Sequence, residues 1–453
     1  MQFNTPEPLH PNMKQRYPLA NYAAKHWISH THAGGRNKSK SSLRLTLTMK
    51  LLTNENAFLN WVRLYRLYTV GPQVQGDKIA KPLYYASLAG LSEASYALLE
   101  MGADIHAQGG YYGNALQAAS YEGHETIVKL LMEKGADVNA QGGVCGNALQ
   151  AASVGRHEAV AKLLIEKGAD VNEQGGVCGN ALQAASLAGH EAITKLLMEK
   201  GADVNAQGGT YGNALQTASN GGHEAIAVLL IENGADVNAQ GGHCGNALQA
   251  ASKKGDEAIA KLLIEKGADV NAQGGEYRNA LQAASIQGHE AIAKLLIEKG
   301  ADVNAWGGRY GNALQAAANE GYEAIARLLI DKGTGPDAWR ERYGTALQAA
   351  SIKGDEAIAK LLIGKGVNVN RQGGRYGNAL QAASNEGHEA IAKLLIDEGA
   401  DVNAQGGIYG NALQAASNGG HEAIAKLLIK KGAHVNAQGG RYENALQAAS
   451  NGP

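Results

Sequence analysis

Apolar and polar positions follow one pattern that returns every 33 residues along most of this chain. In the copy that spans 377–409, Asn378 is followed three residues later by Gln381, which is a capping-box arrangement. The alanines and the leucine between and after them form a narrow apolar side, and Gly387 is suited to end a helix. The pattern therefore predicts a short first helix in each copy.

A second helix is predicted in the same copy, because Ile391, Leu394 and Leu395 recur at the i, i+3, i+4 spacing of one helical face. Gly399 is placed to cap its carboxyl end. The following segment, 400–407, reads ADVNAQGG and is too rich in turn-forming residues for a helix. It predicts an extended, hairpin-like finger.

The repeats cover 80–453, with eleven copies of 33 residues and a partial twelfth. The few apolar side chains of one copy cannot offset the entropy of ordering its backbone, so neighbouring copies must stack, as in a solenoid. The string Gly-Asn-Ala-Leu-Gln marks most of the copies, and it begins at Gly113, Gly146, Gly179, Gly212, Gly245, Gly311, Gly377 and Gly410.

This pattern resembles the ankyrin repeat in its length, its GH-x-x-I-x-x-LL second helix and its GADVNA ending. The opening differs, because Asn-Ala-Leu-Gln stands where the family has Thr-Pro-Leu-His, and we expect the Asn and Gln side chains to supply bonds similar to the usual Thr–His bond. The resemblance implies an all-α solenoid, a curved stack of about eleven helix-turn-helix units with fingers. First helices and fingers would line the concave face, and the stack would bind a protein partner.

Residues 1–79 do not repeat and are expected to form a short helical segment. Amphipathic helices are predicted at Pro18–His30 and Glu55–Tyr65, with a mobile basic linker near 33–42. Trp27 and Trp61 are interpreted as core residues of this segment.

The two helical strings, followed by PLYYASLAGL, are similar to the segment that joins a NACHT NTPase to the ankyrin array of fungal NLR-like (STAND) proteins. A nucleotide-binding P-loop requires GxxxxGK[ST], and this sequence contains none. The resemblance implies an alternative function, the recognition arm of a signalling protein whose NTPase is absent from this chain.

The charge balance, 41 Lys and Arg against 42 Asp and Glu, gives a net charge of -1 and does not favour nucleic acid as a partner. No apolar run approaches the roughly 18 residues of a membrane helix, and the first residues lack the apolar core of a secretory signal. We therefore expect an intracellular monomer in the cytoplasm, with the nucleus not excluded.

Residue types with catalytic or metal-binding chemistry recur at fixed places in the repeat, which indicates framework roles. Histidine precedes many second helices, but Asp256 and Tyr322 occupy the same position in other copies. We therefore interpret this position as the turn and start of the second helix rather than as a metal ligand. Ser, His and Asp recur in nearly every copy, whereas a catalytic triad is a single arrangement of three side chains at one site. We expect neither an enzyme nor a cofactor. Cysteines share one finger position that tyrosine holds elsewhere, and we interpret them as free thiols: Cys145, Cys178 and Cys244.

Positions that vary between copies are the candidates for partner binding. Finger tips are more apolar in the N-terminal half and richer in arginine in the C-terminal half. Tryptophan replaces the usual glutamine of the finger in two consecutive copies, and Trp and Arg are enriched in binding hot spots. The candidate site comprises Trp306, Arg309, Tyr310, Trp339, Arg340, Arg342, Tyr343, Arg375 and Tyr376.

A structural role for the two tryptophans is the alternative. The copy after Gly333 is degenerate, with Pro336 and without the Gly-Gly pair. Trp339 could fill space in this altered finger, with Trp306 packed against it.

Overall fold

The computed structural model describes residues 38–55, 57–59, 61–62, 79–333 and 346–451. The described residues form two compact units. The N-terminal unit extends to Gly221 and includes Leu229–Ala235, and the C-terminal unit comprises Gly222–Val228 and the residues from Asp236 onwards.

The N-terminal unit begins with a helix and continues with helix pairs in the predicted period. Residues 55, 57–59 and 61–62 are also helical. The bounds are Lys38–Thr53, then Pro82–Leu88 with Ser92–Glu100, Ala115–Glu122 with Glu125–Glu133, Ala148–Gly155 with Glu158–Glu166, Ala181–Ala188 with Glu191–Glu199, and Ala214–Gly221.

The C-terminal unit repeats the same pair. The helix Glu224–Glu232 has residues in both units. The further bounds are Ala247–Lys254 with Glu257–Glu265, Ala280–Gln287 with Glu290–Glu298, Ala313–Glu320 with Glu323–Asp331, Ala346–Lys353 with Glu356–Gly364, Ala379–Glu386 with Glu389–Asp397, Ala412–Asn418 with Glu422–Lys430, and Ala445–Asn451.

First helices pack against first helices of the next copy within each unit, and alanine makes this close packing possible. Ala382 and Ala383 are fully buried, and so is Leu380 between the stacked copies. On the second helix, Ile391 and Leu395 are buried along the predicted stripe. The solenoid fold predicted from the repeat is confirmed.

The capping box explains how Asn and Gln replace the family's usual opening. The Gln381 N–H donates to Asn378 Oδ1 at 2.9 Å, and the Asn378 N–H donates to Gln381 Oε1 at 2.9 Å. Gln381 Nε2 also reaches the next finger, where it donates to the carbonyls of Ala404 at 3.1 Å and Gly410 at 3.0 Å. The glutamine thus starts its own helix and binds the following copy.

The histidine before the second helix joins neighbouring copies. His421 Nε2 lies 2.8 Å from the carbonyl oxygen of Asn385 in the preceding copy, as a ring N–H donor would. Its ring lies over Gly387, where a Cβ would come within 2.5 Å of the imidazole and where φ is 82°. His421 is the N-cap residue, as predicted, but its side chain makes no capping hydrogen bond, so its framework role here is to bind the preceding copy.

The N-terminal segment packs on the first copy through aromatic rings. Phe58 and Trp61 contact Tyr85, with ring centroids 5.5 and 5.6 Å away. Trp61 is 7% exposed, which confirms its core role, while Trp27 and Pro18–His30 lie outside the described residues. The first helix begins at Lys38, so residues 38–42 of the segment expected to be a mobile linker are helical. Leu, Met and Lys, which are not branched at Cβ and favour helices, supply most of its length.

Candidate partner-binding surface

The fingers are closed by single antiparallel bridges rather than by full hairpins. Gly373 pairs with Gly377, and Gly406 pairs with Gly410. Gly407 has φ 61°, and a Cβ there would lie 2.3 Å from the carbonyl carbon of Tyr376. This close approach requires glycine, and it places the next residue at the tip of the finger.

Consecutive finger tips are joined by backbone hydrogen bonds. In the N-terminal unit, the Val177 N–H donates to the carbonyl of Val144 at 2.9 Å. In the C-terminal unit, the Ile408 N–H donates to the carbonyl of Arg375 at 2.9 Å, and the Arg441 N–H donates to the carbonyl of Ile408 at 2.7 Å. The tip side chains therefore form a row that is held by the backbone whatever their identity.

Trp306, Arg309 and Tyr310 lie in one finger of the C-terminal unit. Trp306 is 39% exposed, and its six-membered ring lies over Gly311, where a Cβ would come within 2.5 Å. The Arg309 guanidinium lies 5.4 Å from the centre of the Tyr310 ring. The Tyr310 hydroxyl donates to Glu320 Oε1 at 2.7 Å, which fixes the ring against the end of the first helix.

Arg375 and Tyr376 repeat this arrangement farther along the same unit. The Tyr376 hydroxyl donates to Glu386 Oε1 at 2.9 Å, and its ring lies 6.2 Å from that of Tyr409. Burial, together with the bond to Glu386, raises the pKa of Tyr376 to about 12. The positive charge of Arg375 acts in the opposite direction and lowers the pKa of both Tyr376 and Tyr409.

The other members of the predicted site lie outside the described residues, and these are Trp339, Arg340, Arg342 and Tyr343. Contact between Trp306 and Trp339 therefore stays a prediction. Arg309 with Tyr310 and Arg375 with Tyr376 are the described pairs.

The N-terminal unit carries small or aliphatic side chains at the corresponding positions of two consecutive copies. The positions that correspond to Arg375, Tyr376 and Asn385 hold Val144, Cys145 and Val154 in one copy, and Val177, Cys178 and Leu187 in the next. None of these six side chains carries a charge at neutral pH. The same scaffold therefore presents two chemically different faces.

The three cysteines are free, as predicted from their spacing. Burial raises the pKa of the Cys145 thiol to about 12, and it also raises the pKa of Cys178 and Cys244. Thiols of this kind are weak nucleophiles at neutral pH. In the described part of the chain, no group of three His, Cys, Asp or Glu side chains could hold a metal ion.

Comparison with protein families identifies the repeat. A family model described as "Ankyrin repeats (3 copies)" matches overlapping stretches of most of the chain: 62–142, 83–175, 148–241, 215–306, 248–342, 314–406 and 347–439. The chain belongs to the ankyrin repeat family. Ankyrin repeats are in general protein–protein interaction modules, and the fold is typically a non-enzymatic scaffold.

Two further similarities extend the comparison. An alignment 121 residues long, which covers 23% of this chain, is 40% identical to "Azaphilone pigments biosynthesis cluster protein L" of Monascus ruber. The match spans 25% of that protein's length. The crystal structure of the human ASB11 ankyrin repeat domain is 25% identical, with a TM-score of 0.44, over 49% of this chain and 98% of that domain.

The helices of this ankyrin array were compared with the length and hydrophobicity that a membrane-spanning helix requires. Within the residues that the structure describes, every helix is too short or too polar to cross a bilayer.

Sequence reasoning missed the two glutamates that orient the tyrosines of the ankyrin fingers. Glu320 and Glu386 stand ten residues after Tyr310 and Tyr376. The corresponding residues after Cys145 and Cys178 are Gly155 and Ala188. This pairing of tyrosine with glutamate was present in the sequence as a signal, but it becomes meaningful only when the finger is known to fold back onto the first helix.

Proposed function

We propose that this ankyrin array is a non-enzymatic scaffold that binds a protein partner through finger tips and first-helix ends of the C-terminal unit. The observation that carries the proposal is the repeated Arg–Tyr pair, in which Glu320 or Glu386 orients the tyrosine hydroxyl. An exposed guanidinium beside a fixed aromatic ring can hold acidic or aromatic groups of a partner.

Trp306 is the proposed anchor of this surface, with Trp339 as its neighbour in the next finger. The exposed part of the Trp306 side chain is available to a partner, while its contact with Gly311 limits its motion. Preorganised aromatic residues contribute strongly to binding, because little side-chain entropy is lost when the partner arrives.

The test is affinity capture with the wild-type chain and with the double variant Trp306→Gln/Trp339→Gln. The variant restores the glutamine found at this position in the other fingers. We expect it to lose the captured partner while its melting temperature changes by less than about 2 °C. A drop of several degrees with capture retained would show that the tryptophans fill space in the fingers instead.

As the second candidate, we propose the recognition arm of an NLR-like signalling protein. The observation that favours it is the aromatic contact of Phe58 and Trp61 with Tyr85, since it joins the segment similar to NACHT-linked proteins to the first repeat. Sequencing of the transcript upstream of the present first codon tests it. An in-frame P-loop would support this function, and a stop codon directly upstream would argue for a free-standing scaffold.

We also propose a reducing location, the cytoplasm or the nucleus, for a monomeric chain that does not bind nucleic acid. Free thiols in separate fingers and a net charge of -1 support this assignment. Size-exclusion chromatography with light scattering would test the monomer, and a mass of about twice 47.2 kDa would refute it.

A further inference from the structure

We propose that the last three described finger tips of the C-terminal unit bind an extended, acidic protein segment with carboxylates four residues apart. The tips are Arg375, Ile408 and Arg441. This inference rests on the proposed function, and it adds the chemistry and the spacing of the partner.

Charge is the first argument for an acidic partner. Arg375 and Arg441 are exposed, and in the described part of the chain neither guanidinium forms an ion pair with a carboxylate. Two nearby carboxylates have other contacts: Glu386 accepts from Tyr376 and Asn385, and Glu443 lies 3.4 Å from the Gln447 amide. The arginines thus remain available for bidentate bonds to a partner's carboxylates.

Aromatic support is the second argument. The Arg441 guanidinium lies 5.7 Å from the centre of the Tyr442 ring, and the positive charge of Arg375 acts to lower the pKa of Tyr376 and Tyr409. The rings of Tyr376 and Tyr409 are 6.2 Å apart. A row of half-buried rings behind the arginines holds them at the surface and offers flat contacts to a peptide backbone.

Backbone pairing decides the mode of binding. The N–H groups of Ile408 and Arg441 already donate to the preceding tips at 2.9 and 2.7 Å. They are not free to add a partner strand to the row. Recognition must therefore use the side chains, with Ile408 as an apolar contact between two positive charges.

The hydrogen bonds between consecutive tips set the spacing. A Cα atom lies about 1.5 Å from its own amide nitrogen and about 2.4 Å from its own carbonyl oxygen. The bonds at 2.9 and 2.7 Å therefore hold the Cα atoms of consecutive tips within about 7 Å of each other, and those of Arg375 and Arg441 within about 13 Å. An extended chain advances about 3.3 Å per residue, so this distance corresponds to about four residues. Side chains at i, i+2 and i+4 share one face of an extended chain, so the best match is an acidic residue at i and i+4 with an apolar residue at i+2 facing Ile408.

Fluorescence anisotropy with the full chain tests the inference. The probe is a labelled peptide with Glu at i and i+4, Leu at i+2, and Ser and Gly elsewhere. The comparison peptide has the same composition with its two glutamates adjacent. We expect the spaced peptide to bind at least about tenfold more tightly, since both of its charges can reach an arginine at once. Equal binding of the two peptides would overturn the inference.

Matched variants assign the effect to the tips. Arg375→Gln/Arg441→Gln should weaken the spaced peptide at least about tenfold. Arg327→Gln/Lys360→Gln removes the same charge from second helices and should leave binding within about twofold, because both residues pair with their own helices' glutamates. An equal loss in both variants would show nonspecific attraction and contradict the proposal.

Two further outcomes distinguish binding of an acidic segment from nucleic-acid binding and from failure of the proposed scaffold function. A labelled oligothymidylate that binds more tightly than the spaced peptide would show that the tips bind phosphate backbones, and the proposal would fail. If the spaced peptide does not bind while partner capture still depends on Trp306 and Trp339, the acidic-segment inference is wrong and the proposed scaffold function stands.

Discussion

The finger tips of the two units share a backbone and differ in chemistry. Val177 is bonded to Val144 by the same N–H to carbonyl contact, at 2.9 Å, that bonds Ile408 to Arg375. These two consecutive tips are valines in the N-terminal unit, whereas an arginine precedes an isoleucine in the C-terminal unit. The tip side chain is therefore not needed to hold the row together, and it is free to determine binding.

The position after the tip differs for a structural reason. Tyr376 in the C-terminal unit reaches the end of its first helix and donates to Glu386. In the N-terminal unit, Cys145 is too short for such a bond, and Gly155 stands where the glutamate would be. The finger position and the helix-end position thus differ together: the C-terminal unit has the bonded pair Tyr376 and Glu386, and the N-terminal unit has the short, uncharged pair Cys145 and Gly155.

The largest expected effect lies in the scaffold and should be equal in the two units. Gln150→Leu and Gln381→Leu each remove the capping bond and leave buried carbonyls of the next finger without a donor. Each substitution should lower the free energy of unfolding of its unit by about 3–5 kcal/mol. Urea denaturation followed by hydrogen exchange measures the change unit by unit.

A loss of stability in only one of the two glutamine variants would show that the two units do not share the same scaffold contacts. A loss confined to Gln381 would mean that the N-terminal unit is held by other contacts. The matched control is Gln174→Leu, at an exposed finger position, which should change stability by less than about 0.5 kcal/mol.

A smaller effect, dependent on pH, should distinguish the cysteine copies. The Cys145 thiol has a pKa of about 12 when folded against 9.0 ordinarily, so the folded state binds its proton more tightly. Its contribution is complete below pH 9 and is lost as the pH rises towards 12. By pH 10 the N-terminal unit should lose about 1 kcal/mol through Cys145, and Cys145→Ser should remove this part of the loss while the part from the buried Cys178 thiol remains. A wild-type chain whose pH dependence matched that of the variant would show that the thiol is accessible.

Local patterns explain how much of this architecture the sequence could predict. The capping box at Asn378 and Gln381 and the stripe from Ile391 to Leu395 depend on residues three or four apart, so their prediction succeeded. The contact from Tyr376 to Glu386 depends on how the finger folds back, and the contact from Gln381 to Gly410 spans 29 residues. Such contacts follow from stacking and could not be derived from one copy.

The exposure of Trp306 in the candidate site could not be predicted from the sequence. Trp306 was identified because it departs from the glutamine of other copies, but the sequence gives no measure of its exposure. The structure shows both contact with Gly311 and an exposed edge, since a ring of that size cannot be covered by one finger. Its binding role therefore stays a prediction.

Transfer of the tip residues from one unit to the other tests the central claim most directly. The recipient is Arg375→Gln/Arg441→Gln, with Val144→Arg, Cys145→Tyr, Cys178→Tyr and Thr210→Arg added in the N-terminal unit, where Val177 takes the place of Ile408. The measurement is the affinity of the spaced acidic peptide. If the shared residues form the scaffold and the varied residues determine binding, affinity should return to within about threefold of wild type, with unfolding unchanged. A correctly folded graft that fails to bind would contradict the account.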